Sequence, residues 1–223
     1  IACRRNLGIQ FGDVKNPPAR TTDVFISVAM EIVHDLLDAS IRADLQNITR
    51  CISLGVDIVD SYSGYQMQLV IMSDLTTYKD YITGKSYPTG AEEKTLLPIT
   101  DYGSHFVTID DDKILILGCH DLNVFSRRAE ANAKGHRTIT QKRFKDLVAL
   151  HLPNIVLQHP HTTDSTRTWL QGINGLLSFD QPIQHFASAG RYYNRYGDCR
   201  STLDSILLST KKGCVQNIVI SNA

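Results

Sequence analysis

Apolar side chains in the first half of the chain follow one helical stretch and then several short extended ones. They recur at helical spacing from Val24 to Ile41, and Asp23 just before them is a suitable N-cap, so a helix is predicted there. A second short helix is predicted over 44–54, because Gly55 follows it and glycine commonly ends helices. The remaining pattern predicts strands at 56–59 and 66–72 and a long surface loop over 74–103.

In the second half, the patterns of short strands alternate with those of amphipathic helices. Strands at 105–109 and 113–117 are predicted to form a hairpin, since Asp110, Asp111 and Asp112 between them suit a tight turn. This alternation is typical of a layered α/β domain. Later strands are predicted at 154–158, 184–189 and 215–220, and helices at 164–177 and 198–208.

Composition and charge agree with a globular protein and exclude several other classes. Of the 223 residues, 42% are hydrophobic and 21% are charged, which predicts a globular protein of one large domain or two small ones. Because no linker divides the sequence, a single α/β domain over 1–223 is expected. The 23 basic residues balance 23 acidic ones, which excludes a basic coat over the whole protein but leaves room for a local basic patch. The apolar runs are far shorter than the roughly 20 residues that span a bilayer, so no membrane association is expected.

The cysteines and the first residue carry information about context. The five cysteines are scattered without a C-x-x-C motif, which favours a reducing compartment and a cytoplasmic location. The sequence begins with Ile1 and shows no signal-peptide pattern. The chain is therefore expected to be a fragment that lacks the N-terminal portion of its parent chain, and to work together with that portion.

Two clusters of polar residues follow directly after the most apolar predicted strands. One runs from Gly118 to Asn123 and the other from His159 to Ser165. Ligands of open α/β sheets bind beyond the carboxyl ends of strands, so the two clusters are expected to converge. Imidazoles and carboxylates are the usual ligands of hydrolytic Zn²⁺ and Mn²⁺, and the bound metal supplies hydroxide at neutral pH. The candidate metal ligands are His120, Asp121, His159 and His161, with Asp121 and His161 as the catalytic pair.

Cys119 lies inside the first cluster. A single cysteine after an apolar strand is interpreted first as a small buried residue. A cysteine–histidine hydrolase stays open as an alternative, although Cys119 and His120 are adjacent and would point to opposite sides of an extended segment.

From His105 onward the order of motifs resembles the C-terminal half of metallo-β-lactamase-fold hydrolases, most closely the competence (ComEC)-type branch. Residues 105–117 followed by Gly118 and Asp121 are similar to that family's hairpin and Gly-Asp ligand, and residues 159–162 to its His-His-Gly-Ser element. The stretch 194–198 resembles its Asn-x-Tyr-Gly-His-Pro loop. The resemblance implies the C-terminal portion of an αββα layer sandwich, a divalent metal, most simply Zn or Mn, and a metal-dependent hydrolase that acts on phosphodiesters.

Two alternatives accompany this interpretation. Residues 118–121 also resemble the Gly-Asn-His-Asp signature of calcineurin-like metallophosphoesterases, which ranks second. The His-x-His-x-Asp-His signature of metallo-β-lactamase-fold enzymes is absent from the chain. That absence leaves open a catalytically decayed scaffold that serves as a binding or sensing module.

Basic residues cluster over 127–145 and, interleaved with tyrosines, over 191–200. The first part of segment 126–150 is expected to be a mobile, exposed loop, because it holds few apolar anchors before Phe144. Such a local patch would suit a nucleic acid or nucleotide substrate. The predicted substrate-binding residues are Arg127, Arg128, Ser165, Asn194 and Tyr196.

Overall fold

The structure is a computed structural model that describes residues 2–7, 19–160, 166–179, 183–188 and 215–216. The chain divides into two compact units, Ile1–Ile99 and Thr100–Ala223. Each unit has its own sheet together with helices, so the predicted mixed α/β class is confirmed. The expectation of a single domain over 1–223 stays a prediction.

The first unit is a mixed sheet with helices before its central strands. Its described elements are β1 (Ala2–Leu7), α1 (Ala19–Leu36), α2 (Ala39–Gln46), β2 (Cys51–Asp60), β3 (Gln66–Asp74) and β4 (Lys79–Gly84). The strands lie in the order β1-β2-β3-β4, with β1 parallel to β2 and the later neighbours antiparallel. The unit is therefore mostly a meander of strands that are adjacent in sequence.

Helix α1 packs against one face of this sheet. Every second residue of β2 is buried, as the two-residue repeat of a strand requires. The apolar side chains on that face remove their surface from water together with one side of α1, which is the main source of stability for such a layer. The shared core includes Phe25, Ala29, Val33, Leu54, Val56, Ile58, Met67, Leu69 and Ile71.

Several predictions for this unit are wrong. Helix α1 begins at Ala19, so Asp23 lies inside it rather than at its N-cap. The end of the predicted helix 44–54 is instead the start of β2, because pairing with β3 along the whole strand outweighs local helical preference. The predicted loop 74–103 contains β4.

The second unit has a largely parallel sheet. Its described elements are a 3₁₀ helix (Tyr102–His105), β5 (Phe106–Ile109), β6 (Asp112–Leu117), a second 3₁₀ helix (Asp121–Phe125), α3 (Arg127–Asn132), α4 (His136–His151), β7 (Ile155–Gln158), α5 (Thr166–Leu176), β8 (His185–Ser188) and β9 (Val215–Gln216). The strands lie in the order β5-β6-β7-β8-β9, and all neighbours except β5 and β6 are parallel. The carboxyl ends of β6, β7 and β8 therefore lie at one edge.

The predicted hairpin of this unit is confirmed. Strands β5 and β6 pair antiparallel, and Asp110 between them takes a φ of +52°, a left-handed conformation that aspartate tolerates better than most residues. The predicted strands and helix at β7, α5 and β8 are confirmed as well. The predicted helix 198–208 lies outside the described residues, as does most of the predicted strand 215–220.

The basic segment 126–150 is helical, which corrects the expectation of a mobile loop in its first part. Ser126 precedes α3, and Gly135, with a φ of +56°, precedes α4. Phe144 and Val148 anchor α4 because both are fully buried. Among the described residues of the whole chain, no helix combines the length and the apolar character needed to cross a membrane.

Candidate active site around Cys119

Three parallel strand ends bring their following residues to one edge of the second sheet. In register, Leu117 of β6 lies beside Gln158 of β7, and Gln158 lies beside Ser188 of β8. The backbone N–H of His159 donates to the carbonyl of Leu117 at 3.0 Å, which extends the ladder one residue beyond β7. Cys119 follows two residues after β6, so the strand holds it at this edge.

Cys119 lies in a tight turn that a buried carboxylate closes. The Gly118 N–H donates to Oδ2 of Asp121 at 2.9 Å, and the Asp121 N–H donates to the Gly118 carbonyl at 3.3 Å. Asp121 is fully buried, whereas Cys119 is half-buried and forms no disulfide. The turn therefore keeps its carboxylate inside and leaves part of the thiol residue accessible.

Gln158 and Ser188 form a buried polar bridge along the same edge. The Gln158 amide Nε2 donates to the Cys119 carbonyl at 3.4 Å, and the Ser188 hydroxyl donates to Oε1 of Gln158 at 3.4 Å. Both distances are at the long end for hydrogen bonds, and both side chains are almost completely buried. The bridge joins the ends of β7 and β8 to the main chain of the cysteine turn.

His105 lies beneath the end of β6. Its Nδ1 is 2.6 Å from the Ile116 carbonyl, so this nitrogen carries the proton and donates it. Its ring packs edge-on against Phe144 at 4.7 Å between centroids. Burial lowers the pKa of His105, and the opposing effects of Asp121, the Ile116 carbonyl and Asp101 do not offset it. The imidazole is therefore neutral at pH 7.

The predicted site residues fall into described and undescribed groups. His120 and His159 are half-buried beside the turn, and Asp121 is buried within it. Arg127 and Arg128 are exposed in the first turn of α3. These roles stay predictions, as do those of the sites outside the described residues, which are His161, Ser165, Asn194 and Tyr196.

The described part of the chain does not bring together enough side chains to form a metal centre. No group of three His, Cys, Asp or Glu side chains there could hold a metal ion. Asp121, the carboxylate at the centre of the predicted ligand set, has one oxygen committed to the Gly118 N–H inside the protein. The described residues thus do not fit the predicted centre, while a zinc or manganese cofactor involving undescribed residues stays a prediction.

A buried ion pair in the first unit escaped the sequence analysis. The Lys85 ammonium lies 2.7 and 2.6 Å from the two carboxylate oxygens of Glu92, and Lys85 is only 2% exposed. Thr89 donates its N–H and hydroxyl to Oε2 at 2.9 and 2.7 Å, and Gln68 donates to Oε1 at 3.3 Å. Partial burial raises the pKa of Glu92, but Lys85 and Thr89 together outweigh this effect. The net result is a pKa lowered to about 2.

Neither this pair nor His105 stands out in the sequence. Lys85 and Glu92 lie seven residues apart in a segment rich in glycine and proline, where charged side chains are normally solvated. His105 precedes a short apolar strand and carries no neighbouring ligand motif. Gly84 before Lys85 is needed for close packing, since a side chain there would meet the Gln68 main chain at 2.2 Å, but a glycine in this segment does not indicate an ion pair.

Comparison with known proteins returns one distant structural likeness. No protein-family model matches the chain, and a search of curated proteins finds no match. Among solved structures, a mutant of the amidase from Nesterenkonia sp. AN1, with acrylamide added to its active-site cysteine, is similar with a TM-score of 0.40 and 13% identity. The likeness covers 68% of this chain and 54% of the amidase chain, so the chain spans about half the amidase's length. At this level the likeness assigns no residue and no activity.

This finding corrects the predicted family. The comparisons return an amidase and no metallo-β-lactamase-fold or calcineurin-like protein, and no family model matches. The predicted membership in the metallo-β-lactamase family and its competence-type branch is wrong, as is the calcineurin-like alternative. The predicted function as a metal-dependent phosphodiesterase, described as a zinc hydrolase, is therefore also wrong. The alternative of a decayed metallo-hydrolase scaffold depends on the same fold and is wrong for the same reason. The motif order that suggested the family is shared by many parallel α/β sheets with polar strand ends.

Proposed function

We propose that the protein is a hydrolase that uses Cys119 as a covalent nucleophile on the carbonyl carbon of an amide or ester. The observation that carries this proposal is a half-buried cysteine, not in a disulfide, that lies just beyond the carboxyl end of β6 in a sheet of mostly parallel strands. Ligands of such sheets bind at this edge. A cytoplasmic location, where thiols stay reduced, belongs to the same proposal.

The surroundings of the thiol support a reactive role over a merely structural one. A cysteine used only for packing is normally completely buried. Cys119 is instead partly exposed, and the turn that carries it is held by Asp121 and contacted by Gln158. A firmly held turn that carries a partly exposed cysteine is an arrangement suited to covalent catalysis.

The chemistry follows from the properties of thiols. The thiolate attacks the carbonyl carbon, and the resulting tetrahedral intermediate expels the amine or alcohol and leaves a thioester. Water then attacks the thioester and releases the acid together with the free thiol. This route needs a base that takes the thiol proton and passes it to the leaving amine or alcohol, and donors that stabilise the oxyanion.

Acylation of the thiol by an activated ester tests this proposal. The full chain is mixed with p-nitrophenyl acetate, the burst of p-nitrophenol is followed, and the acetylated peptide is identified by mass spectrometry. We expect a burst and an acetyl group on Cys119, both lost in Cys119→Ser. Cys51→Ser is the matched control, because Cys51 is also half-buried and in no disulfide but lies at the first residue of β2. Acetylation of Cys51 as fast as Cys119, or none at Cys119, would contradict the proposal.

A further inference from the structure

Asp121 is a completely buried carboxylate that follows Cys119 by two residues. A buried carboxylate is costly unless hydrogen bonds replace its hydration. Its Oδ2 accepts the Gly118 N–H at 2.9 Å, whereas the main-chain bond from the Asp121 N–H to the Gly118 carbonyl is longer, at 3.3 Å. A hydrogen bond to a charged acceptor is about twice as strong as one between neutral groups. The side chain therefore contributes more than the main chain to closing the turn over Cys119.

A second buried side chain fixes the strand that leads into this turn. The His105 imidazole donates to the carbonyl of Ile116, two residues before Gly118. Although burial lowers the pKa of His105 by more, Asp121 lies near enough to favour the protonated ring and so raise that pKa. The segment 116–121 is thus held near its start by an imidazole and at its end by a carboxylate, with Cys119 between the two.

The far side of the turn is fixed by close packing. A side chain at Gly172 of α5 would meet the Leu122 carbonyl oxygen at 2.8 Å, and one at Gly175 would meet the Phe125 carbonyl oxygen at 1.8 Å. Helix α5 consequently lies directly on the 3₁₀ helix that begins at Asp121. The main chain after Cys119 has no room to shift, so the carboxylate is itself held in place.

We propose that Asp121 is the positioning residue of the Cys119 nucleophile, and that it acts through its hydrogen bond to the Gly118 N–H. This proposal rests on the function proposed above. Asp121 does not touch the substrate, and its effect is on the direction in which the thiol faces the carbonyl carbon. A displacement of about 1 Å at a reacting group can reduce a rate by about a hundredfold.

The test compares two reactions of the same thiol. Acylation by p-nitrophenyl acetate needs an oriented thiolate, whereas alkylation by iodoacetamide needs only an accessible one. We expect Asp121→Ala to slow acylation at least about tenfold and to change alkylation less than about threefold. Asp121→Asn keeps an oxygen that can accept the Gly118 N–H, so it is expected to retain acylation within about threefold of the original chain.

Controls separate positioning from loss of fold. Asp111→Asn changes an exposed aspartate in the β5–β6 turn and is expected to alter neither reaction. Fluorescence of Trp169, the single tryptophan of the chain, reports folding of the second unit. If Asp121→Ala does not fold, Asp121→Ser takes its place, because its shorter side chain moves the acceptor away from Gly118.

Each outcome decides between the two proposals. Equal losses in acylation and alkylation, no loss in a folded Asp121→Ala or Asp121→Ser chain, or a tenfold loss of acylation in Asp121→Asn would overturn the positioning role. The function proposed for Cys119 would survive those results. Failure of the unaltered chain to be acylated at Cys119 would instead remove the function and the positioning role together.

Discussion

Glu92 in the first unit and Asp121 in the second are both carboxylates withdrawn from solvent, and they are stabilised by different partners. Glu92 meets the Lys85 ammonium, the Gln68 amide, and both the hydroxyl and the main-chain N–H of Thr89, so its charge is balanced by a cation of the same unit. Asp121 accepts the main-chain N–H of Gly118, next to the half-buried Cys119. The contacts of Glu92 stabilise a loop through an ion pair, whereas the contact of Asp121 fixes the shape of a turn.

The same contrast appears in the sheets. In the first unit, β2 pairs with β3 and β3 with β4 antiparallel across short connections, and helix α1 covers one face. The second unit pairs strands that lie far apart in the chain, such as β6 with β7 and β7 with β8. Parallel pairing of this kind brings several strand ends to one edge, which is where α/β proteins place their chemistry.

The largest effect is expected when the ion pair of the first unit is broken. Lys85→Met would leave Glu92 partly buried without its cation, which costs about 3–5 kcal/mol of unfolding free energy. The measurement is urea unfolding by circular dichroism, with hydrogen exchange of peptides from β3 and β4. Lys94→Met, at an exposed lysine, is the control and should cost less than about 0.5 kcal/mol. Equal costs for the two variants would show that the pair is not needed.

Acid should destabilise the two units in different pH windows. The pKa of Glu92 is lowered to about 2, so the unfolded state binds more protons below pH 4.5 and about 3 kcal/mol of stability is lost as the pH falls from 4.5 towards 2. The pKa of His105 is lowered by burial, so the unfolded state also takes up its proton first and stability falls as the pH drops below 6.5. Trp169 fluorescence should therefore respond at higher pH than hydrogen exchange in β3 and β4. A single shared transition would contradict this.

An intermediate effect is expected from the close contact of α5. Gly175→Ala places a methyl group against the Phe125 carbonyl oxygen, and the resulting shift should cost about 2 kcal/mol despite the better helix propensity of alanine. Asn174→Ala, at the exposed neighbouring position, should be neutral within about 0.5 kcal/mol. Both are measured by Trp169 fluorescence in urea. A neutral Gly175→Ala would mean that α5 can move away from the 3₁₀ helix.

The smallest effect on stability concerns the basic segment 127–145. Replacing Arg127, Arg128 and Arg137 with alanine should change the unfolding free energy by less than about 0.5 kcal/mol per site. If the segment binds a phosphate backbone, the salt dependence of binding to single-stranded DNA should flatten by about two in the log–log slope. Arg167→Ala, at an exposed arginine of α5, is the control. An unchanged slope would identify these charges as solvated surface.

The sequence predicted those elements whose signal is local. The run from Ile114 to Leu117 and the aspartates before it were sufficient to predict the β5–β6 hairpin. The start of β2 was missed because its strand conformation is decided by pairing with β3. That contact joins residues far apart in the chain, so the local sequence does not show it. Strand β4 was missed because Ile82 is its only strongly apolar residue.

The position of residues 118–121 could be predicted from the sequence, but the contacts within them could not. The rule that ligands bind beyond the carboxyl ends of strands pointed to these residues, which lie directly after β6. Their convergence with the cluster 159–165 stays a prediction, since residues 161–165 lie outside the described part of the chain. The hydrogen bond from the Gly118 N–H to Asp121 was not predicted, because a carboxylate that binds a metal and one that accepts a main-chain N–H look the same in sequence. The distinction depends on burial and on the direction of the Asp121 side chain, and both are set by tertiary packing. The role of Asp121 as a metal ligand stays a prediction.

The long separation between β8 and β9 also has a consequence for synthesis of the protein. The β8 edge that pairs with β9 is completed only when Val215 and Gln216 have been made, although β8 itself ends at Ser188. At roughly 5–20 residues per second, a nascent chain passes through a period of a few seconds in which this edge has no strand beside it. An open strand edge is a template for pairing with other chains. The yield of native protein should thus depend on translation speed over residues 189–214 and on chaperones that cover this edge.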